Sequence, residues 1–262
     1  MARPIGVFDS GIGGLTVMAA VRRRLPQESI LYLGDTARLP YGSKSPDTVT
    51  RYTRRNVEFL IARGVKAVVV ACNTASALAL PSLASPLPTW GVIEPGARKA
   101  AAISRGRVGV IATEATVRSD AYPMALRRQR SDLVILSQAC PLFVPLVEDG
   151  WHDDPITAQV AERYLRPLLD AGIDTLVLGC THYPLLAPVL ARVAGPDVTL
   201  VDSAEAVAEV VADGLAQGGL AAASGPSVHH HLCVTDAGES FQHLADRILR
   251  EPGLPLEWVE VV

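Results

Sequence analysis

Two stretches decide how this chain is read: VKAVVVACNTAS, residues 65–76, and IDTLVLGCTHYP, residues 173–184. In each, a short run rich in β-branched and aliphatic residues ends on a cysteine, Cys72 or Cys180. Short apolar runs bounded by polar residues predict strands covered on both faces, as in a parallel sheet. Each cysteine is followed by a polar pair able to open a helix, Asn73-Thr74 or Thr181-His182. A thiol at a helix N-terminus is expected to have a lowered pKa. Two thiols facing one pocket from opposite sides can remove a proton from one face of a carbon and return one to the other. That is cofactor-free racemase chemistry, and the remaining sequence bears on it.

Outward from these stretches, apolar runs recur at Ile5–Phe8, Ile30–Leu33, Ala67–Val70, Val108–Ile111, Leu133–Leu136, Thr175–Leu178 and Thr199–Val201. Between most of them lie segments of helical periodicity: Leu15–Leu25, Val49–Arg63, Ile156–Leu169 and Ala204–Leu215. The alternation predicts an α/β fold with parallel sheets. Gly64, Gly172 and Gly218-Gly219 are expected helix stops. A domain crossing is expected near Gly91–Gly96, a second near Val201–Ser203, and a loop over Gly218–Pro226.

With 262 residues, 49% of them apolar, the chain can build two small domains or one large one. The net charge of −3 and the lack of a basic run argue against nucleic acid and anionic membrane as partners. No apolar stretch approaches the roughly 20 residues that span a bilayer, and the N-terminus does not read as a secretory signal. Four cysteines without CxxC spacing read as reduced thiols in a cytoplasmic protein.

The segment Asp9-Ser10-Gly11-Ile12-Gly13-Gly14 follows the first strand and offers backbone N–H groups to an anion. Asp35, at the end of the second strand, suits a ribose-binding acid, but the dinucleotide fingerprint fails where Thr16 replaces its third glycine. His182, two residues after Cys180, can hold a thiolate or relay its proton. The same pair fits a cysteine hydrolase, a scheme that leaves Cys72 without a role. Zinc on Cys72, Cys180 and His182 lacks a familiar ligand spacing. His229, His230 and His231 resemble a metal tract, yet neighbours in a strand point to alternate faces, so all three cannot chelate one ion. They are expected to be mostly exposed. Cys140 and Cys233 are expected to be structural.

Seven segments, in order, closely resemble the glutamate racemases of the aspartate/glutamate racemase superfamily: GVFDSGIGGLTV (6–17), YLGDTARLPYGSKS (32–45), VVVACNTAS (68–76), GVIEPG (91–96), GVIATEATVRSDAY (109–122), ACPLFVPLVEDG (139–150) and LGCTHYPLL (178–186). The last 60 or so residues match only loosely. The resemblance implies two α/β domains related by a pseudo-twofold, residues 1–97 plus 208–262 and residues 98–207, with the active site in the cleft between them. It implies interconversion of L- and D-glutamate without cofactor or metal, supplying D-glutamate for bacterial peptidoglycan, by a cytoplasmic homodimer. Cys72 and Cys180 would be the two acid/base residues, Cys72 acting on D-glutamate and Cys180 on L-glutamate. Asp9 would assist Cys72, and His182 with Glu148 would assist Cys180. Substrate contacts would come from Ser10, Tyr41, Gly42, Asn73, Thr74, Thr113, Thr116 and Thr181, with Asp9 and His182 at the same surface. Some relatives carry an N-terminal extension linked to activation by a peptidoglycan precursor. The first strand here begins by about residue 5, and that mode of control is not expected. One thiolate and one thiol at the start of each turnover imply a bell-shaped pH dependence.

Overall fold

The strands form where the apolar runs are, because each is covered on both faces. Val68, Val69 and Val70 are fully buried, as are all five residues of Ile5–Asp9. Burying each such aliphatic side chain is worth roughly 1.5–3 kcal/mol. A computed structural model describes residues 3–222, 227–236 and 239–261. Its strands are β1 (Ile5–Asp9), β2 (Ile30–Gly34), β3 (Ala67–Val70), β4 (Thr89–Gly91), β5 (Arg107–Ala112), β6 (Val134–Ala139), β7 (Thr175–Gly179), β8 (Thr199–Asp202), β9 (His230–Val234) and β10 (Leu256–Trp258).

They form two parallel sheets, one in the order β10-β9-β2-β1-β3-β4 and one in the order β6-β5-β7-β8. The core of the first repeats in the second, with β5 in the place of β1, β6 of β2, β7 of β3 and β8 of β4. The register extends this to single residues. The Asp35 N–H donates to the Asp9 carbonyl at 3.0 Å, and the Cys140 N–H donates to that of Ala112 at 2.9 Å. Asp9 and Ala112 are therefore equivalent. Phe8 faces Val70 and Ala112 faces Gly179, so Cys72 and Cys180 fall on the same step beyond their strands.

Helices flank both sheets. Ser45 caps Pro46–Ala62, and Gly64 ends it at φ +79°; Asp154 caps Pro155–Asp170, and Gly172 ends it at φ +72°. In both cases glycine takes the left-handed turn that other residues resist. Asp202 caps Ser203–Gln217, where Gly219 (φ +65°) makes that turn while Gly218 keeps a right-handed conformation. The helix Ser203–Gln217 returns to the first sheet, burying Ala204, Val207, Ala208, Val211 and Leu215 with Leu15, Met18 and Val21. The expected loop at Gly218–Pro226 lies partly outside the described residues. No helix among the described residues is long and apolar enough to cross a membrane.

Candidate active site

Parallel strands place their C-terminal ends on one edge, and here two such edges face each other. Ser10, Tyr41, Gly42, Cys72, Asn73 and Thr74 from the first sheet's side line one small cavity with Thr113, Glu148, Cys180, Thr181 and His182 from the second. Gly11, Leu39, Pro40 and Val144 complete the wall. Asp9 lies beneath the cavity, fully buried, and Thr116 stands behind Thr74 and Thr113.

Two glycines, Gly13 and Gly42, let the edges approach, and a third, Gly14, packs the turn onto its own strand. A Cβ on Gly13 would fall 2.4 Å from Thr181 Oγ1 and 2.6 Å from His182 Nδ1. One on Gly14 would fall 2.3 Å from Asp9 Cβ, and one on Gly42 2.5 Å from Thr113 Cβ. Within the glycine-rich turn Gly13 therefore serves close contact between the halves, while the Gly11 N–H is spent on the Asp9 carboxylate. Tyr32 fixes the turn by donating its hydroxyl to the Gly11 carbonyl at 2.6 Å.

Cys72 is the N-cap of the helix Asn73–Leu78, and its sulfur accepts the Ala75 N–H at 3.5 Å. The Ser10 hydroxyl lies 3.5 Å from the same sulfur. Both contacts favour the thiolate. The expected lowering of its pKa is nevertheless overturned: burial, reinforced by the nearby Asp9 carboxylate, pushes the Cys72 thiol up to about 12. Asp9 makes no hydrogen bond to Cys72. Its Oδ2 accepts the Gly11 N–H at 3.0 Å, and its Oδ1 accepts the Thr181 hydroxyl at 3.3 Å, across the cleft. Burial raises the Asp9 pKa, and the neighbouring His182 partly offsets this.

The surroundings of Cys180 differ. It is followed by a 3₁₀ turn, Tyr183–Leu186, rather than directly by an α-helix. Its sulfur lies 3.9 Å from His182 Nδ1, and His182 Nε2 lies 3.1 Å from Glu148 Oε1. Burial alone would lower the His182 pKa, but hydrogen bonding to Cys180 and Glu148 outweighs it and raises the imidazole to about 10. Cys180, His182 and Glu148 thus form a line in which a cationic imidazole separates a sulfur from a carboxylate.

Polar groups surround the thiols. The hydroxyls of Thr74, Thr113 and Thr116 form a triangle with sides of 3.0, 3.1 and 3.0 Å that joins the two halves. Asn73 Oδ1 accepts the Tyr122 hydroxyl at 2.7 Å, while its Nδ2 is buried without a partner among the described residues. An unspent buried donor in a cavity wall suits an anionic group. The Tyr41 hydroxyl donates to Asp35, so the side that Tyr41 gives the cavity is its ring and backbone.

Asp35 is not a ligand-binding acid. It is fully buried and accepts from Tyr41, from Asn56 Nδ2 (3.1 Å) and from the Thr235 hydroxyl (3.0 Å), with Arg38 alongside. This network holds the 39–42 segment against the cleft. Tyr122 and Thr16 also escaped the sequence reading; the Thr16 hydroxyl reaches the Thr181 carbonyl at 3.4 Å. Tyr122 and Thr16 belong to quoted segments, but nothing in their spacing marks the contact. Cys140 is buried and faces the Gln138 carbonyl, as expected of a structural thiol.

This geometry has counterparts. The Asp/Glu/hydantoin racemase family matches residues 13–211. The glutamate racemase of Geobacter metallireducens is 52% identical over 250 residues, 94% of this chain and 93% of that protein. The solved structure of glutamate racemase from Bacillus anthracis superposes with a TM-score of 0.94 at 41% identity, covering 99% of this chain and 98% of the other. That from Francisella tularensis, in complex with D-glutamate, gives 0.92 at 36%, with the same coverage. The chain belongs to the Asp/Glu/hydantoin racemase family, and within it falls among the glutamate racemases. It is a racemase, an enzyme of the isomerase class.

Proposed function

We propose that the enzyme interconverts L- and D-glutamate by a two-base mechanism, with Cys72 deprotonating the D enantiomer and Cys180 the L enantiomer. The observation that carries this reading is the equivalence of the two cysteines by strand register, on facing edges of one cleft. A thiolate on one face takes the Cα proton, and the thiol opposite donates its own to the other face. The product leaves the protonation of the pair reversed.

The Cα–H is a very weak acid while the carboxylate is ionised, so the site must stabilise a dianionic carboxylate. The Asn73 amide and the threonine hydroxyls are donors held in place before the proton moves. Their fixed orientation lowers the reorganisation cost. Cationic His182 stabilises a thiolate at Cys180, and Glu148 holds the imidazole in that state. Asp9, with a raised pKa, is placed to exchange a proton with the substrate ammonium or the Cys72 side.

The cavity between the thiols has a volume of about 20 Å³, room for a water rather than an amino acid. The halves must part to admit substrate. A neighbouring cavity of about 550 Å³ shares Leu39 and Glu148 as walls and is the natural approach. In the same reading, residues 1–97 with 208–262 and residues 98–207 are two domains that move against each other, and closure excludes water from the proton transfer. Formation of D-glutamate for peptidoglycan in the cytoplasm, by a homodimer, completes the proposal; light scattering tests the assembly.

A cysteine hydrolase has one observation in its favour, the line Cys180–His182–Glu148. It leaves Cys72 idle. Incubation with each glutamate enantiomer in deuterium oxide separates the two readings. Racemisation is expected with deuterium entering at Cα of the product enantiomer, and replacing either cysteine by alanine is expected to abolish it. Full racemisation by Cys180→Ala would defeat the two-base scheme. The same assay with aspartate tests the choice of substrate.

A further inference from the structure

The histidine tract takes on a partner that its sequence does not reveal. In β9, His231 and Cys233 are two residues apart and so share a face. β10 pairs with β9 in a register that sets Glu257 beside Cys233. His231 Nε2 lies 3.0 Å from Glu257 Oε2, Cys233 Sγ lies 3.8 Å from the same oxygen, and one donor atom from each residue falls within 4.8 Å of the others. Zinc bonds of about 2.0–2.3 Å to nitrogen, oxygen and sulfur give a tetrahedron whose edges are roughly 3.2–3.8 Å. Two of the three separations are already near such edges, and side-chain rotation closes the third.

We propose that His231, Cys233 and Glu257 bind a divalent ion of the zinc class, with solvent in the fourth position. The donor set selects the metal. One thiolate, one imidazole and one carboxylate suit zinc or cobalt, whereas calcium and magnesium need several oxygens. Binding forms a metal–sulfur bond and releases the thiol proton to solvent. Cys233 is buried at the floor, while the His231 and Glu257 side chains are 40% and 39% exposed, leaving the site open on one side. Arg63 grips Glu257 through its two terminal guanidinium nitrogens, at 2.9 and 2.6 Å. It orients the carboxylate, and its charge keeps the affinity moderate.

The cleft holds the same three residue types, but not a site of this kind. Cys180 lies at Nδ1 of His182 and Glu148 at Nε2, so the imidazole ring stands between sulfur and carboxylate. At His231 a single nitrogen, the sulfur and the carboxylate oxygen converge. The bound ion would fasten β10 to β9, away from the reacting thiols. The inference is independent of the glutamate reading.

Titrating the full chain with cobalt(II) tests it. One ion per chain is expected, with a thiolate-to-cobalt charge-transfer band and tetrahedral d–d bands. The band should vanish in Cys233→Ser, weaken at least tenfold in apparent affinity in His231→Ala and Glu257→Gln, and persist in Cys180→Ser. Zinc should raise the melting temperature of the unmodified chain more than that of His231→Ala. Should Cys233→Ser not fold, the half-exposed His231 and Glu257 variants decide. Absence of the band, its survival at full strength in those variants, or its loss in Cys180→Ser would overturn the proposal.

Discussion

The imidazole of His182 holds its Nδ1 3.9 Å from the Cys180 sulfur, with its far nitrogen 3.1 Å from Glu148. A cation pinned on one side by a carboxylate and turned on the other toward a thiol stabilises the thiolate. His182→Gln is therefore expected to lower kcat/KM by about 10²-fold or more. Glu148→Gln removes one of the contacts that raise the His182 pKa to about 10. Activity that depends on the imidazolium falls as pH rises through that value, so this variant should move the alkaline limb of the pH–rate profile to lower pH. A limb that stays in place would show that another group sets it.

Folding stability should decline on the alkaline side. The folded-state pKa of His182 is raised from 6.5 to about 10, so its contribution is complete below 6.5 and lost as pH rises toward and through 10. Cys72 acts in the same direction at higher pH. Its thiol ionises in the unfolded chain near 9.0 but in the folded chain only near 12, so the folded state is disfavoured progressively between those values. At about 1.4 kcal/mol per pH unit for each fully differential proton, urea unfolding between pH 7 and 10 should reveal a loss of a few kcal/mol. His182→Gln should flatten most of it.

Gly13→Ala should damage catalysis far more than folding. The added methyl would meet Thr181 Oγ1 at 2.4 Å, His182 Nδ1 at 2.6 Å and the Thr181 carbonyl carbon at 2.9 Å. Backbone cannot yield there without parting the two edges. A displacement of about 1 Å between reacting groups costs about 10²-fold, so kcat/KM should fall by that order. The core beneath the turn is untouched, and the melting temperature should change by only a few degrees.

Tyr122→Phe tests the support of Asn73. The phenol donates to Asn73 Oδ1 at 2.7 Å, and both groups are buried. Loss of the donor leaves that oxygen unsatisfied, at about 1–3 kcal/mol. The amide becomes free to turn, which withdraws Nδ2 from its fixed place in the cavity wall. Stability should fall by that amount and KM should rise. Steady-state kinetics and urea denaturation measure the two effects on the same sample.

What could be read in the sequence follows from the range of each interaction. Strands buried on both faces appear as continuous apolar runs, so β3 and β7, and with them Cys72 and Cys180, were legible. β4 and β10 have three residues each, too few for a period to show. The fingerprint failure at Thr16 set aside a ribose-binding role for Asp35, but its structural role was not legible, because Asn56 and Thr235 lie 21 and 200 residues away. The expected lowering of the Cys72 pKa reflected its helix start and neglected burial, which comes from a cluster with residues as distant in sequence as Phe8, Val49 and Cys233. His231 and Cys233 carried a legible two-residue spacing, but Glu257 reaches them only through strand pairing.

The register makes Asp9 equivalent to Ala112, and Thr74 equivalent to His182, so the repeated scaffold offers each thiol a different neighbour. Mirror-image substrates have equal free energies in water, and no arrangement of residues can move their equilibrium constant from one. The ratio of kcat to KM must then be identical for the two enantiomers, however unlike the two faces are. The unequal neighbours can be felt only in how each enantiomer divides that common ratio between saturation and turnover. Under the two-base proposal, a higher KM in one direction with a proportionally higher kcat is the kinetic imprint expected of a carboxylate on one side and an imidazolium on the other.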